Sequence, residues 1–340
     1  MADHHYDLLV IGAGASGASV AYEAVRRGLS VALLEAGDIS GGTSCRSTKL
    51  LHGGVRYLEL AFKTLDIAQL QLVREALLER GHWLRTVPFL ANRLELVLPT
   101  KNWFDKTYYG LGLGLYDALS GDTGLGHSRR LSRDELVQAL PQLCPRQGGV
   151  AYSDGQFDDA RLNLLLALTA EQGGATLRRS CRVIGFERNP AGRLTAAVSE
   201  TETGQQERWQ AQVIVNTTGI HADAMRRLAD PDAPPRLLTS RGTHLVLKDN
   251  LCPQGMGLLV PATEDGRVLF MLPFFGHTLV GTTDQTCEQT EAAIPSEDEE
   301  TYLLRYVRQW FPGLTHPVVS SRWAGGRPLL QPSGGKRSSS

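Results

Sequence analysis

The stretch 6-YDLLVIGAGASGASVAYEAVRRGLSVALLE-35 decides the fold. Its opening is a short, continuous apolar run that ends in glycines, the pattern of a strand buried on both faces. Residues 15–29 then predict a helix, with Ala18, Ala21, Val25 and Leu29 at helical spacing and Gly28 placed to close it. A second strand follows at 30–35. Gly12, Gly14 and Gly17 form G-x-G-x-x-G at the strand-to-helix turn, and Glu35 ends the returning strand. The first glycine permits the tight turn, the second lets a pyrophosphate approach the backbone, and the third lets helix and sheet pack closely. With Ala15 and Ser16, these residues open a helix whose free amides and dipole attract phosphate. Glu35 stands where a ribose-binding acid belongs. A lone glycine fingerprint is weak; the strand, helix and acid around this one make it a dinucleotide site.

Immediately beyond lies 42-GTSCRSTKLLHGGVRYLE-59, with four hydroxyl residues, three cations and a Gly53-Gly54 pair. A regular NAD-binding unit would continue with another helix and strand. This chain inserts the hydroxyl-rich loop, a helix over 64–86, and later strand-like segments near 177–188, 193–201 and 208–216. That order favours FAD. Hydroxyls and amides at Thr43, Ser44 and Ser47 are candidates to bond phosphate or flavin edges, and the glycine pair permits close backbone approach. The plain alternative is a glycine-rich turn that holds nothing.

Further along, Leu65, Ala68, Leu72, Ala76 and Leu77 are expected to share the buried side of the 64–86 helix. Capping boxes open helices at 132-SRDELVQAL-140 and 296-SEDEETYLLRYVRQWF-311. Another helix is expected over 159–174, opened by Asp and closed by Gly-Gly. The segment 213-VIVNTTG-219 is a buried strand running into a small polar corner. From 242 onward, THLVLK, GLLVPA, RVLFMLP and TLVGTTD predict an antiparallel sheet. Two domains result, the first of them discontinuous.

At 340 residues, with 35 Lys+Arg against 36 Asp+Glu, the overall charge gives no argument for nucleic acid. Cys45, Cys144, Cys181, Cys252 and Cys287 are scattered and form no C-x-x-C, which fits a reducing compartment without a disulfide framework. Zinc-ligand spacings are absent, so no metal is expected. The first strand begins within a few residues of Met1, so no signal peptide is expected, and no apolar run approaches a membrane span. The segment 103-WFDKTYYGLGLGLYDALSG-121 has the aromatic character of a membrane interface. The plainer reading is packing into a substrate domain.

The motifs GAGASG, TSCRSTKLLHGGVRYLE, YSDGQFDDARL, NTTG, RGTHLVL, GTTD and AGGRPL occur in the order found in FAD-dependent glycerol-3-phosphate dehydrogenases. The resemblance runs from residue 6 to about 332. It implies an α/β flavoprotein, with a Rossmann-like domain of the amino-acid-oxidase/glutathione-reductase type and a second antiparallel-sheet substrate domain. The expected boundaries are 1–80 and 150–232 for the FAD domain, with a partial return at 323–340, and 81–149 and 233–322 for the substrate domain. The implied reaction oxidises sn-glycerol 3-phosphate to dihydroxyacetone phosphate and passes electrons to a membrane quinone. The implied location is cytoplasmic, peripheral on the inner membrane; oligomeric state stays open.

By position in those motifs, Arg56, Tyr57, Thr283, Asp284 and Arg327 are expected at the substrate. Arg56 and Arg327 are the cationic clamps, since a phosphate dianion calls for a guanidinium fork. Arg327 is expected near the reacting hydroxyl, and His244 is the candidate base. Each has a bland reading: Arg56 pairing with Glu59, His244 as a satisfied strand histidine, Thr283-Asp284 as a turn. His52 is expected to orient its loop through a backbone hydrogen bond, beside the cofactor. Val183, Thr218 and Gly219 complete the FAD contacts, with Thr217 where the family has Ala and Ile220-His221 where it has Pro-Trp.

The resemblance ends early. The family continues to another strand and a G-G-K-x-T-T-Y-R motif that supplies a Lys to the phosphate, and then to a helical domain; here 334-GGK-336 leads into RSSS. The expectation is therefore a shortened chain that binds FAD weakly and turns over poorly. Three other readings remain: an oxidase using oxygen, a non-functional dinucleotide-binding fragment, and an NAD-dependent dehydrogenase.

Overall fold

A computed structural model describes residues 3–54, 66–100, 102–145, 147–261, 263–264 and 266–331. Arg56 and Tyr57 lie outside the described residues. The strands, in chain order, begin with β1 (Asp3–Ile11), β2 (Val31–Leu34), β3 (Leu50–Leu51), β4 (Ala91–Pro99), β5 (Arg129–Leu131), β6 (Gly149–Phe157), β7 (Thr176–Arg178) and β8 (Cys181–Arg188). They continue with β9 (Leu194–Thr201), β10 (Gln206–Asn216), β11 (Leu237–Leu247), β12 (Met256–Val260), β13 (Leu269–Phe274), β14 (His277–Gly281), β15 (Gln285–Thr286) and β16 (Val319–Leu330). The helices are α1 (Ala15–Arg26), α2 (Ile67–Thr86), α3 (Trp103–Leu119), α4 (Arg133–Ala139), α5 (Asp159–Gln172), α6 (Ala222–Ala229) and α7 (Glu297–Trp310).

The first sheet has the order β7-β2-β1-β10-β9-β8. Its β1 runs parallel to both β2 and β10. Buried Leu9, Val10 and Ile11 explain the unbroken apolar run, because each face of the strand is covered. On one face, Ala18, Ala21 and Ala24 of α1 meet Leu166, Ala167 and Ala170 of α5. Small side chains let these helices lie close together. On the other face, Leu9, Ile11, Leu34, Val183 and Trp209 pack together. The predicted meander is present as β8–β9–β10, with both pairings antiparallel. Residues 177–188 form two strands, β7 and β8, that pair with different partners.

The second sheet has the order β15-β11-β14-β13-β12-β4-β6-β3, with β16 on β11 and β5 on β6. It is antiparallel except where β12 runs parallel to β4, Met256 opposite Glu95. Sequence reading had drawn 150–157 and 323–340 toward the dinucleotide half; of the latter, 332–340 lie outside the described residues. Instead β6 pairs with β4 from Pro99↔Gly149 to Ala91↔Phe157, and β16 pairs with β11 from Leu237↔Leu330 to Leu247↔Val319. Apolar alternation marks a strand but does not name its neighbour. One face of this sheet carries Leu136, Leu140, Leu303, Val307 and Phe311 from α4, α7 and the turn after it. The other face carries Val73, Leu77, Leu113 and Tyr116 from α2 and α3.

Both capping boxes are formed, Ser132 with Glu135 and Ser296 with Glu299. In α2 the buried side differs from the expected one: Val73, Leu77, Arg80 and Gly81 face inward, while Ala68 and Leu72 are exposed and Leu65 lies outside the described residues. A buried cation, Arg80, occupies a position that hydropathy assigns to solvent. In α3, Leu113 and Tyr116 enter the core, whereas Tyr108 and Leu111 are exposed. No helix among the described residues is long and apolar enough to cross a membrane.

Candidate active site

The glycine turn has no space for side chains. A Cβ on Gly17 would fall on the carbonyl oxygen of Gly12 and come within 2.7 Å of the Thr217 hydroxyl. Gly12 has φ +100°, and its Cβ would stand 2.8 Å from the Thr217 carbonyl. Parallel pairing of β1 with β10 brings this corner here, Ile11 opposite Asn216. The Thr217 hydroxyl lies 2.8 Å and 2.9 Å from the carbonyls of Ile11 and Gly12 and ties this corner to the turn. Thr218 donates to Asn216 Oδ1 (2.7 Å), and Gly219 has φ +58°.

Gly14 is the N-cap of α1 and provides no side-chain cap. The first-turn amides therefore include donors without an intrahelical acceptor. The Ala15 amide donates to Ser44 Oγ (2.9 Å), reached across from the hydroxyl-rich loop. Glu35 turns back into the turn: Oε2 accepts from the Ala13 amide at 2.7 Å and Oε1 from the Gly37 amide at 2.9 Å. The Cys181 amide donates to the Glu35 carbonyl, which sets buried Val183 two residues further along β8. A cavity of about 590 Å³ opens beside this edge, lined by Gly37, Asp38, Arg178 and Ser180. Glycines with no room for Cβ, a helix end without a side-chain cap of its own and an inward acid fit a dinucleotide.

The hydroxyl-rich loop is a strap between the two sheets. Thr43 donates to the Gly326 carbonyl at 2.7 Å, and Arg46 to the Ala324 carbonyl at 3.2 Å, both in β16. Ser47 gives its hydroxyl to Asp159 Oδ2 (2.7 Å), while Lys49 Nζ meets Asp159 Oδ1 at 2.6 Å and the Cys45 carbonyl at 2.7 Å. Among Thr43, Ser44 and Ser47, it is Ser44 that faces the glycine turn. His52 Nδ1 accepts from the Gly54 amide at 3.1 Å, the backbone-orienting bond expected of it. The Gly53 amide donates to Tyr116 Oη (2.7 Å), whose hydroxyl reaches Asp154 Oδ1 at 3.0 Å. Asp154 in turn pairs with Arg80 at 2.7 Å. Burial, opposed by Arg80, raises the Asp154 pKa, and burial with the Asp154 charge pushes the Tyr116 phenol well up.

Where the strap crosses β11, β14 and β16, the expected catalytic side chains come together. His244 is 2% exposed, its Nε2 is 2.9 Å from Thr48 Oγ1, and its ring stacks on Trp323 with centroids 5.7 Å apart. Nδ1 closes no hydrogen bond of good geometry; the Gly242 backbone lies near enough only to favour protonation slightly. A Cβ on Gly281 would collide with the imidazole. Burial, reinforced by Arg327 and Lys49, lowers the His244 pKa to about 3. The ring is therefore neutral through the physiological range.

Arg327 is half-buried, and its guanidinium donates to Thr282 Oγ1 (3.1 Å), the Thr283 carbonyl (3.2 Å) and Asp284 Oδ1 (3.4 Å). Desolvation lowers its pKa, with Asp284 acting the other way. Thr283 is buried and gives its hydroxyl to Glu299 Oε1 at 2.6 Å. Asp284 also receives the Ser240 hydroxyl. His244, Arg327, Thr283 and Asp284 thus form one cluster, and the fingerprint, Glu35 and Ser44 form another.

Sequence reading passed over Thr48, Asp159, Trp323 and Glu299. Thr48 was visible only as one hydroxyl among four, Asp159 as a helix opener and Glu299 as half of a capping box. Nothing local marked Trp323, which also carries the Lys49 ammonium 5.1 Å above its ring. Among the described residues, no three His, Cys, Asp or Glu side chains are grouped to hold a metal.

The chain resembles known proteins over nearly its whole length. Residues 7–338 match the family described as FAD dependent oxidoreductase. The mitochondrial glycerol-3-phosphate dehydrogenase SDP6 of Arabidopsis thaliana is 42% identical over 332 residues, 95% of this chain and 53% of that protein. The human mitochondrial glycerol-3-phosphate dehydrogenase is 40% identical over 96% of this chain and 46% of its own length. The chain spans about half the length of the curated relatives it matches. The FAD complex of a glycerol-3-phosphate dehydrogenase from Bacillus halodurans superposes with TM-score 0.75 at 27% identity, over 96% of this chain and 57% of that one. The FAD-bound L-alpha-glycerophosphate oxidase of Mycoplasma pneumoniae, at 18% identity and TM-score 0.75 over 97% of this chain and 85% of that one, shares the fold.

Proposed function

Because the chain belongs to the FAD-dependent oxidoreductase family, we propose that it oxidises sn-glycerol 3-phosphate to dihydroxyacetone phosphate. The carrying observation is the convergence of Arg327 and His244 beneath the strap, in a chain 42% identical to a glycerol-3-phosphate dehydrogenase. We take the first sheet with α1 and α5 as the cofactor domain and the second sheet as the substrate domain.

The glycine turn and the α1 amides would hold the pyrophosphate of FAD, with Glu35 at the ribose and Ser44 turning to a phosphate oxygen. Bound there, FAD supplies the hydride acceptor. Arg327 is the clamp near the reacting hydroxyl, where its guanidinium lowers the cost of developing negative charge. His244 receives the hydroxyl proton. With a pKa of about 3 it is a weak base as it stands. Burial is the main cause of that low value, with the Arg327 and Lys49 charges second; a bound phosphate dianion offsets the charge contribution and so moves the pKa upward. Arg56 and Tyr57, outside the described residues, complete the phosphate pocket in this proposal.

Electrons then pass to a membrane quinone. The exposed Tyr108 and Leu111 on α3 are the side chains that would make a peripheral membrane contact in this reading, which places the protein on the cytoplasmic face. The test is the visible spectrum of the FAD-loaded protein before and after anaerobic sn-glycerol 3-phosphate. Bleaching of the flavin band is the expected result; a bound band that this substrate leaves unchanged rejects the reading. Peroxide formed in air without added acceptor would replace quinone with oxygen.

A further inference from the structure

The carboxylate of Glu299 does more than cap a helix. It is 6% exposed, and it accepts from two buried threonines, one inside β11 and one just beyond the end of β14: Thr243 Oγ1 at 3.0 Å and Thr283 Oγ1 at 2.6 Å. The Ser296 amide and hydroxyl add 3.2 Å and 3.0 Å contacts, and Arg241 Nε lies 2.7 Å away as its ion-pair partner. Hydrogen bonds to this many donors outweigh desolvation and hold the Glu299 pKa below the usual range. A helix cap needs only Ser296.

The two threonines are the centres of the two segments that build the substrate clamp. Thr243 lies between Gly242, over which the Arg327 guanidinium rests, and His244. Thr283 lies between Thr282 and Asp284, each of which accepts from Arg327, and its own carbonyl accepts as well. The Thr243 amide also donates to Thr283 Oγ1 at 2.8 Å, so the segments are tied directly as well as through the carboxylate. Glu299 touches neither Arg327 nor His244 by hydrogen bond.

We propose that Glu299 is the positioning residue of the substrate clamp, fixing through Thr243 and Thr283 the two segments that hold Arg327 and present His244. This rests on the functional reading above. A Gln amide cannot accept from both threonines on its two ends, because one end becomes a donor, and the Arg241 charge is left unpaired. Misplacement of a clamp by about 1 Å is enough to cost about a hundredfold in rate.

The experiment compares wild type, Glu299→Gln, Thr243→Val and Ser296→Ala as FAD-loaded proteins. It measures KM and kcat for sn-glycerol 3-phosphate, and the calorimetric Kd of dihydroxyacetone phosphate. Glu299→Gln is expected to raise KM and Kd about tenfold or more, with the flavin spectrum retained. Thr243→Val, which leaves the cap and the charge in place, shifts both in the same direction by a smaller factor. Ser296→Ala lowers the melting temperature and leaves KM and Kd unchanged. Unchanged Kd in both Glu299→Gln and Thr243→Val overturns the proposal, as does a Ser296→Ala variant that reproduces the loss. A wild type that binds neither compound removes the functional reading and this inference with it; a responding wild type confines any failure to Glu299.

Discussion

The guanidinium of Arg327 occupies the space above the α-carbon of Gly242, two residues along β11 from its register partner Ser240. A Cβ at residue 242 would meet both Nη2 and the Thr282 hydroxyl, 2.6 Å away. The arginine is therefore aimed by an absence of side chain opposite it as much as by its acceptors.

Gly242→Ala is expected to push Arg327 off Thr282 and Asp284. Overpacking of this kind costs about 1–3 kcal/mol. The expected result is a KM for sn-glycerol 3-phosphate raised about tenfold with flavin content unchanged, read by steady-state kinetics and the absorbance ratio. An unaltered KM would mean that Arg327 does not meet the substrate.

Gly17→Ala probes the other cluster. Its Cβ meets backbone, the Gly12 carbonyl, so no side-chain rotation can relieve it. Loss of retained flavin through gel filtration, with FAD affinity weaker by about tenfold or more, is the expected outcome. Stoichiometric flavin in the variant would show that the turn can open without loss.

The buried His244 makes stability depend on pH. Its folded pKa is about 3 against an ordinary 6.5, so between these values the unfolded chain binds a proton that the native chain excludes. Stability accordingly falls as pH drops from 6.5, by up to about 1.4 kcal/mol per unit. The lowered carboxylates of Glu299 and Asp223 act below 4.5 and 3.8, whereas Asp154, raised by burial, acts above 3.8 in the opposite sense, so over pH 4.5–6.5 the histidine is read from the difference between wild type and a variant that lacks it. In urea unfolding over that window, His244→Asn is expected to reduce the slope by one proton; an identical slope would contradict a neutral, buried His244.

Asp154→Asn leaves the Arg80 guanidinium charged and buried without its partner, and removing one member of such a pair costs roughly 3–5 kcal/mol. Tyr116→Phe is milder: it strips the Gly53 amide of its acceptor, a loss of about 1–3 kcal/mol. Chemical denaturation midpoints measure both, and the expected order is Asp154→Asn well below Tyr116→Phe below wild type. Equal midpoints would place the Arg80 charge in solvent.

Local chemistry made much of this protein legible. G-x-G-x-x-G, the apolar run before it and Glu35 together specify a β-α-β turn, because only glycine tolerates Gly12's φ and the closeness of Gly17 to the Gly12 carbonyl. Ser132–Glu135 and Ser296–Glu299 announced their helix starts, since a capping box is satisfied within four residues. The motif resemblance pointed to His244, Arg327, Thr283 and Asp284, and the fold does bring those four together.

What the sequence could not decide was partnership across long separations. Strands β6 and β16 are equally apolar whichever sheet they join, and only closure of the core assigns them to β4 and β11. Arg80 reads as a solvent cation until Asp154, distant in sequence, offers it a charge inside. Thr43 and Ser47 read as ligand hydroxyls, yet they bond Gly326 and Asp159 and leave the glycine turn to Ser44. By itself the sequence determined where backbone strain and capping are local; tertiary structure decided which buried polar groups satisfy one another, because that requires both partners to lose water in the same place.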